Sequence, residues 1–319
     1  MKEFGKTYTD VSVQEVVDSE AEFKQAFLDH KALMFRGMPD IDSESFSTLM
    51  ETIYTKGNDT VPGTPVVFDQ DHKSMFTQQW LEHAQHDPLN PSSFETGWHM
   101  DDTCSFSPPS MLGMYMHTFQ IPKGRGNTLL MDMERLYELF DDKSKQYLQS
   151  IELDHRYAYF QHDRNNPDAP VRKWIHPAVR HHPVTGNPCF YWAGQACCPK
   201  GSHEVKDDEE FVPSPLSVIY AKHPQWEHLV KTCVYKLIGM KDFTITENPE
   251  HKEDTWAQTQ GTKSDDWAGI TNPEMIFTQE WEENDVMIWD NRNITHTFFG
   301  GWELGKRVFA KGEYAREPV

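Results

Sequence analysis

His99, Asp101 and His296 have the types and spacing of a redox-metal site. His99 and Asp101 stand two positions apart in "GWHMDDTCSF", and His296 follows 195 positions after Asp101 in "IWDNRNITHTFF". Two imidazoles and one carboxylate suit ferrous iron and cover only one face of it. The open face can take a co-substrate and dioxygen. In a chain with sixteen histidines the H-x-D tripeptide carries little weight by itself; its context gives it weight.

Residues i and i+2 of an extended strand share a face. His99 and Asp101 are therefore expected to grip one metal from a rigid strand, with Met100 turned away. "DVMIWD" (285–290) reads as an apolar strand with His296 just beyond it. "RVFAKGEY" (307–314) alternates and reads as the next strand, antiparallel to it after the turn "GGWELG". Arg307 would then face the same cavity as His296. A buried arginine needs an anion, and its planar fork fits a carboxylate bidentately.

These segments, taken in order, resemble the taurine dioxygenase-like (TauD/TfdA) family of iron(II), 2-oxoglutarate-dependent oxygenases. The resemblance rests on "WHMDDTCSFSPPSMLGMYM", "GRGNTLLMDM", "HPAVRHHPVTGNPCFYW", "ENDVMIWDNRNITH" and "KRVFAKGEY". They run from about residue 30 to 315 and cover most of the chain. The resemblance implies a mainly β fold, a double-stranded β-helix (jelly roll) with helices packed outside. It implies His99, Asp101 and His296 as the catalytic iron ligands, and Arg307 and Thr128 as the pair holding the distal carboxylate of 2-oxoglutarate. It implies Fe(II), 2-oxoglutarate and dioxygen as cofactors, with release of succinate and CO2. Because Asp101 is present, it argues against a halogenase. The alternatives are desaturation, cyclisation or oxidative decarboxylation with the same cofactors, or a non-catalytic sensor or binding protein on this fold.

The substrate is less legible. Relatives acting on sulfonates or aryloxyacetates carry a second arginine four residues after the first, where this chain has Lys311. Lysine keeps the charge and loses the fork. The residue after the carboxylate ligand is often apolar in sulfonate-cleaving relatives; here it is Asp102. Together Asp102 and Lys311 suggest a small polar or anionic, even zwitterionic, substrate.

Composition sets the outer limits. A chain of 319 residues with 37% hydrophobic residues has length enough for a self-sufficient core. It is expected to form a single domain over residues 1–319. The formal net charge of −20 comes with no basic stripe, which makes nucleic acid and anionic membranes poor partners. Five cysteines at spacings that fit neither zinc modules nor a disulfide framework suggest reduced thiols and a cytoplasmic protein. "MKEFGKTYTD" lacks the apolar core of a signal peptide, and no apolar run is long enough to span a bilayer. Homo-oligomerisation stays open.

Along the chain, 20–31 reads as an amphipathic helix, 32–37 as a strand, and 43–54 as a helix with Ser43 as its N-cap candidate. Residues 57–95 are poor in period and rich in Pro, Gly, Asp and His; the resemblance implies that this stretch is a lid-like segment covering the site mouth. Residues 96–133 read as strands and 134–150 as helical. "LDHRYAYF", "KWIHPAVRHH" and "PCFYWA" read as strands, the last two linked by the turn "PVTGN". Residues 214–239 carry helical pattern that Pro224 must interrupt. The polar stretch 240–274 departs from the family as an insertion, either a surface elaboration or a lid. The remaining histidines, among them His155, His162, His176, His181 and His182, are read as structural or surface residues.

Overall fold

The computed structural model describes residues 3–39, 41–54, 76–83, 98–101, 103–104, 108–119, 127–156, 173–194, 197–202, 204–206, 210–212, 216–234, 275–299 and 307–316. Asp102, the segments 120–126 and 240–274 and most of 57–95 lie outside them.

The chain opens with β1 (Lys6–Thr9), α1 (Val13–Asp18), α2 (Glu20–His30), β2 (Ala32–Arg36) and α3 (Ser43–Ile53). Then come β3 (Phe76–His83), β4 (Pro109–Phe119), β5 (Asn127–Asp132), α4 (Met133–Leu139) and α5 (Asp142–Gln149). Next are β6 (Glu152–Arg156), β7 (Lys173–Pro177), β8 (Val179–His181), β9 (Pro188–Phe190), β10 (Cys197–Pro199), β11 (Glu204–Lys206) and β12 (Glu210–Val212). The last elements are α6 (Leu216–Lys222), α7 (Pro224–His228), β13 (Ile276–Gln279), β14 (Val286–Asp290), β15 (Ile294–Phe299) and β16 (Arg307–Arg316).

Two sheets carry the architecture. One has the order β1-β2-β14-β4-β16-β3, the other β13-β5-β15. They face each other across a buried cluster that mixes Met34, Leu112, Met116, Met287 and Trp289 of the first with Leu130 and Ile294 of the second. The alternate residues Leu33, Phe35, Met111, Tyr115 and Ile288 face the other way, onto Phe23, Phe27, Phe46, Leu49 and Met50 of α2 and α3. Strands buried on both faces read as unbroken apolar runs, which is why "ALMFR" and "VMIWD" show no alternation. The outer face of the smaller sheet, Leu129 and Met131, packs against Leu136 and Tyr137 of α4 and the aromatic residues Phe190 and Trp226. Two facing sheets with helices outside bear out the expected jelly roll.

Four local expectations change. The N-cap of α3 is Asp42, not Ser43: its carboxylate accepts the Ser45 N–H at 2.8 Å, in a reciprocal cap that fixes the first turn. The helical stretch 134–150 is two helices, because Asp141 caps a new start at α5. The stretch 57–95 holds an eight-residue strand, β3, paired along β16. β16 is not the antiparallel neighbour of β14; it lies between β4 and β3, so β4 separates the two. The chain passes from β15 in one sheet to β16 in the other, as closing a two-sheet sandwich requires. Pro224 does restart the helical stretch, standing at the first position of α7 where its missing N–H costs nothing.

One buried histidine tests the pH behaviour of this fold. His155, on β6, is fully buried against His176 (ring centroids 5.1 Å) and Tyr191 (5.4 Å). Neither of its ring nitrogens finds a partner among the described residues. Burial, then the nearby His176 and Arg180, push its pKa well below the ordinary histidine value. The unfolded chain therefore takes up a proton near pH 6.5 that the folded chain refuses, so stability falls as pH drops below about 6.5. His155→Leu is expected to remove one proton from that slope, about 1 kcal/mol per pH unit. Urea midpoints at pH 7.5 and 5.5 measure it; equal acid losses in both proteins would contradict it.

Candidate metal centre

His99 and His296 are joined through their main chains before any side chain is considered. The His99 N–H donates to the His296 carbonyl at 2.9 Å, and the His296 N–H donates to the His99 carbonyl at 2.7 Å. The expected strand under His99 is thus a single antiparallel bridge, and the chain turns immediately afterwards at Asp101. The extended i, i+2 geometry is replaced by a clamp. Asn291, in the turn between β14 and β15, accepts the Asp101 N–H at 3.0 Å. Its amide donates to the carbonyls of Asp101 (3.0 Å) and Pro109 (2.9 Å). This completely buried amide stands in for a neighbouring strand and fixes the loop that carries Asp101.

The result brings the three expected residues together. His99, Asp101 and His296 each offer a donor atom, and these atoms lie within 4.8 Å of one another. Nε2 of His99 is 3.4 Å, and Nε2 of His296 3.6 Å, from the same Asp101 carboxylate oxygen. Two ligands each about 2.1 Å from a metal and at right angles stand about 3 Å apart, so the set closes on an ion with little movement. Burial, with the His99 imidazole beside it, holds His296 well below the usual histidine pKa. It stays neutral, the form that ligates a metal. Two nitrogens and one oxygen on one side suit a divalent ion of the iron type and leave its other side open.

Thr128 lies on the same sheet face. His296 pairs with Leu130 and the next same-face position pairs Phe298 with Thr128, so Thr128 is two residues along from the histidine's partner. It is buried, and its hydroxyl accepts the Trp281 indole N–H at 2.9 Å. Arg307 and Lys311 lie on the facing sheet. In register they pair with Phe119 and Met114 of β4, across an irregularity at Val308/Phe309. Met114 packs on the cluster between the sheets. The two stand four positions apart on β16, on either side of that irregularity.

Sequence reasoning passed over three supports. Asn291 was visible only as part of "WDNR". Gly194, in the left-handed region at φ 59°, stands where an added Cβ would lie 1.6 Å from the carbonyl oxygen of Trp98, next to His99. Asp290 anchors the β14–β15 turn. It accepts two bonds from the Arg292 guanidinium (2.7 and 2.8 Å) and lies 2.9 Å from Nε2 of His182. Nδ1 of His182 accepts the N–H groups of Val184 and Thr185, so its proton sits on Nε2, toward Asp290. Burial alone would raise the Asp290 pKa; Arg292 and His182 hold it well below the usual carboxylate range. Nε2 of His176 meets the Thr103 carbonyl at 2.8 Å, just past Asp101.

The family model described as "Taurine catabolism dioxygenase TauD, TfdA family" matches residues 1–213. The chain belongs to the TauD/TfdA dioxygenase family. A curated relative, an alpha-ketoglutarate-dependent sulfonate dioxygenase of Saccharomyces cerevisiae, is 21% identical over 238 residues, 72% of this chain and 45% of that protein. The chain thus spans less than half the length of that relative. Among solved structures, a taurine dioxygenase from Burkholderia xenovorans superposes with TM-score 0.58 at 18% identity, covering 98% of this chain and 88% of the other. AAD-2 in complex with Mn(II) and N-oxalylglycine superposes with TM-score 0.60 at 15% identity, covering 99% and 97%. At these identities the superpositions establish the TauD/TfdA fold. No helix among the described residues is long and apolar enough to cross a membrane.

Proposed function

We propose that this chain is an iron(II)- and 2-oxoglutarate-dependent dioxygenase that hydroxylates a small polar or anionic organic molecule. The observation that carries the reading is the convergence of His99, Asp101 and His296 on one point. Iron with 2-oxoglutarate and dioxygen supplies the oxidising power: the keto acid is split to succinate and CO2, and one oxygen atom passes to the substrate. The chain supplies placement. His99, Asp101 and His296 hold the metal on one side. Thr128 and Arg307, from facing sheets, hold the distal carboxylate of the keto acid, the arginine by a bidentate pair. No nucleophile or general base of the protein is required.

Lys311 and Asp102 are the residues we assign to substrate choice. Lys311 sits four positions from Arg307 on β16, and a cation there suits a sulfonate or carboxylate group. Asp102 would answer an amine or hydroxyl. The relative named as a sulfonate dioxygenase and the neighbour named as a taurine dioxygenase support an anionic or zwitterionic substrate.

A panel of sulfonates, carboxylates and amino acids, screened with iron(II) and 2-oxoglutarate, is expected to give substrate-dependent succinate release and dioxygen uptake. Product mass separates the outcomes: a gain of one oxygen atom marks hydroxylation, a loss of two hydrogens desaturation. Iron and keto-acid binding with no succinate from any member of the panel or from slow uncoupled decay would leave a binding protein in place of an enzyme.

A further inference from the structure

Thr128 has a hydroxyl that can both donate and accept, and its neighbour decides which. The indole N–H of Trp281 only donates, and at 2.9 Å it donates to Oγ1 of Thr128. One lone pair of the threonine oxygen is therefore taken, and the hydroxyl proton must point elsewhere. No acceptor for that proton occurs among the described residues. Both side chains are buried, Thr128 at 5% exposure and Trp281 at 2%, so water is a poor substitute. A buried donor without an acceptor is costly unless a ligand provides one.

We propose that Trp281 is a positioning residue that turns the Thr128 hydroxyl into a committed hydrogen-bond donor, aimed at a carboxylate held between the two sheets. The inference rests on the reading of Thr128 and Arg307 as the keto-acid carboxylate pair. It adds why a threonine serves there. Without Trp281 the hydroxyl proton is free to swing toward the position the indole fills; with it, that rotamer is excluded and the proton is left for the ligand. The Thr128–Trp281 contact spans 153 residues and ties the loop after β13 to β5. The donor is thus set by tertiary packing, before any ligand arrives.

The test titrates 2-oxoglutarate into the Mn(II)-loaded chain without dioxygen, by calorimetry. Trp281→Phe keeps the ring and removes the N–H. It is expected to weaken 2-oxoglutarate by about three- to tenfold, as loss of one neutral hydrogen bond does, and to leave Mn(II) affinity unchanged. Thr128→Val should weaken it at least as much. In a Thr128→Val background Trp281→Phe should cost nothing more, because both act through one hydroxyl. Wild-type affinity in Trp281→Phe, or losses that simply add, would overturn the proposal. A measurement without any Trp281 variant is the set of indole N–H resonances. One of them must shift in Thr128→Val and again when 2-oxoglutarate binds the unaltered protein; an indole set indifferent to both overturns it. Absence of 2-oxoglutarate binding in the unaltered chain overturns the functional reading and this inference together. Binding that Arg307→Lys weakens by about 10- to 100-fold, while Trp281→Phe does not weaken it, overturns this inference alone.

Discussion

Alanine at His99, Asp101 or His296 is expected to strip the metal and abolish turnover. Each change leaves two protein donors where three converge within 4.8 Å. Losing a residue that merely orients a ligand costs ~10–100-fold in metal affinity, so losing a ligand itself should cost more. Folding should survive in the two histidine variants. The bonds that join positions 99 and 296 are main-chain bonds, and alanine keeps them. The expected signature is an intact thermal transition, sub-stoichiometric metal by elemental analysis and no succinate. Full metal content with near-normal turnover in all three variants would sink the assignment. Asp101→Ala should fold as well, because Asn291 grips the Asp101 main chain rather than its carboxylate.

Gly194→Ala is expected to damage the same centre from a distance. A Cβ at residue 194 would sit 1.6 Å from the Trp98 carbonyl oxygen and 2.6 Å from its carbon, an overlap no side-chain rotation relieves. The backbone there is also left-handed, at φ 59°, which costs an L-residue roughly 1–2 kcal/mol by itself. Either Gly194 or the segment bearing His99 must shift. The expected loss is on the order of 2–4 kcal/mol of stability, with metal affinity falling as well. Gly186 is the matched control. It too is left-handed, at φ 74°, but nothing lies within 4 Å of its added Cβ, so Gly186→Ala should cost only about 1 kcal/mol and leave the metal untouched. Chemical denaturation and metal titration of both variants check this. Equal effects would mean that the close approach to Trp98 is immaterial.

The contrast between these two variants also marks what was legible in the chain. The three donors were legible because metal chemistry selects residue types, and those types stand out wherever they lie. The strands "ALMFR", "VMIWD" and "RVFAKGEY" were legible because β-branched, apolar and alternating runs are local signals. Their partners were not. Alternation says that 307–316 is a strand, but only closure of the sandwich says that it pairs with β4 and β3. The cap at Asp42 was missed by one residue because Asp42 and Ser43 are both capping types, and the choice depends on which backbone is extended. His99 and Asp101 were read as one strand, whereas a side chain, Asn291, replaces the missing strand neighbour. Trp281 left no sequence signal, since a contact across 153 residues has no period. Gly194 could have been suspected from its place just after the apolar run "CFYWA", where a left-handed residue ends a strand.

The reciprocal main-chain bonds between His99 and His296 carry one more consequence. They fix the main chain beneath the two imidazoles, whose ring centroids lie 4.2 Å apart, so the proposed site needs little rearrangement of the backbone to take an ion. A chelate that need not rearrange cannot reject a competitor by refusing to close. Divalent ions later in the Irving–Williams order, nickel, copper and zinc, should then occupy it more tightly than ferrous iron. Under the proposed function, which metal fills the site becomes a property of supply in the compartment rather than of the scaffold, and the preparation, not the polypeptide, decides how much of a purified sample is competent.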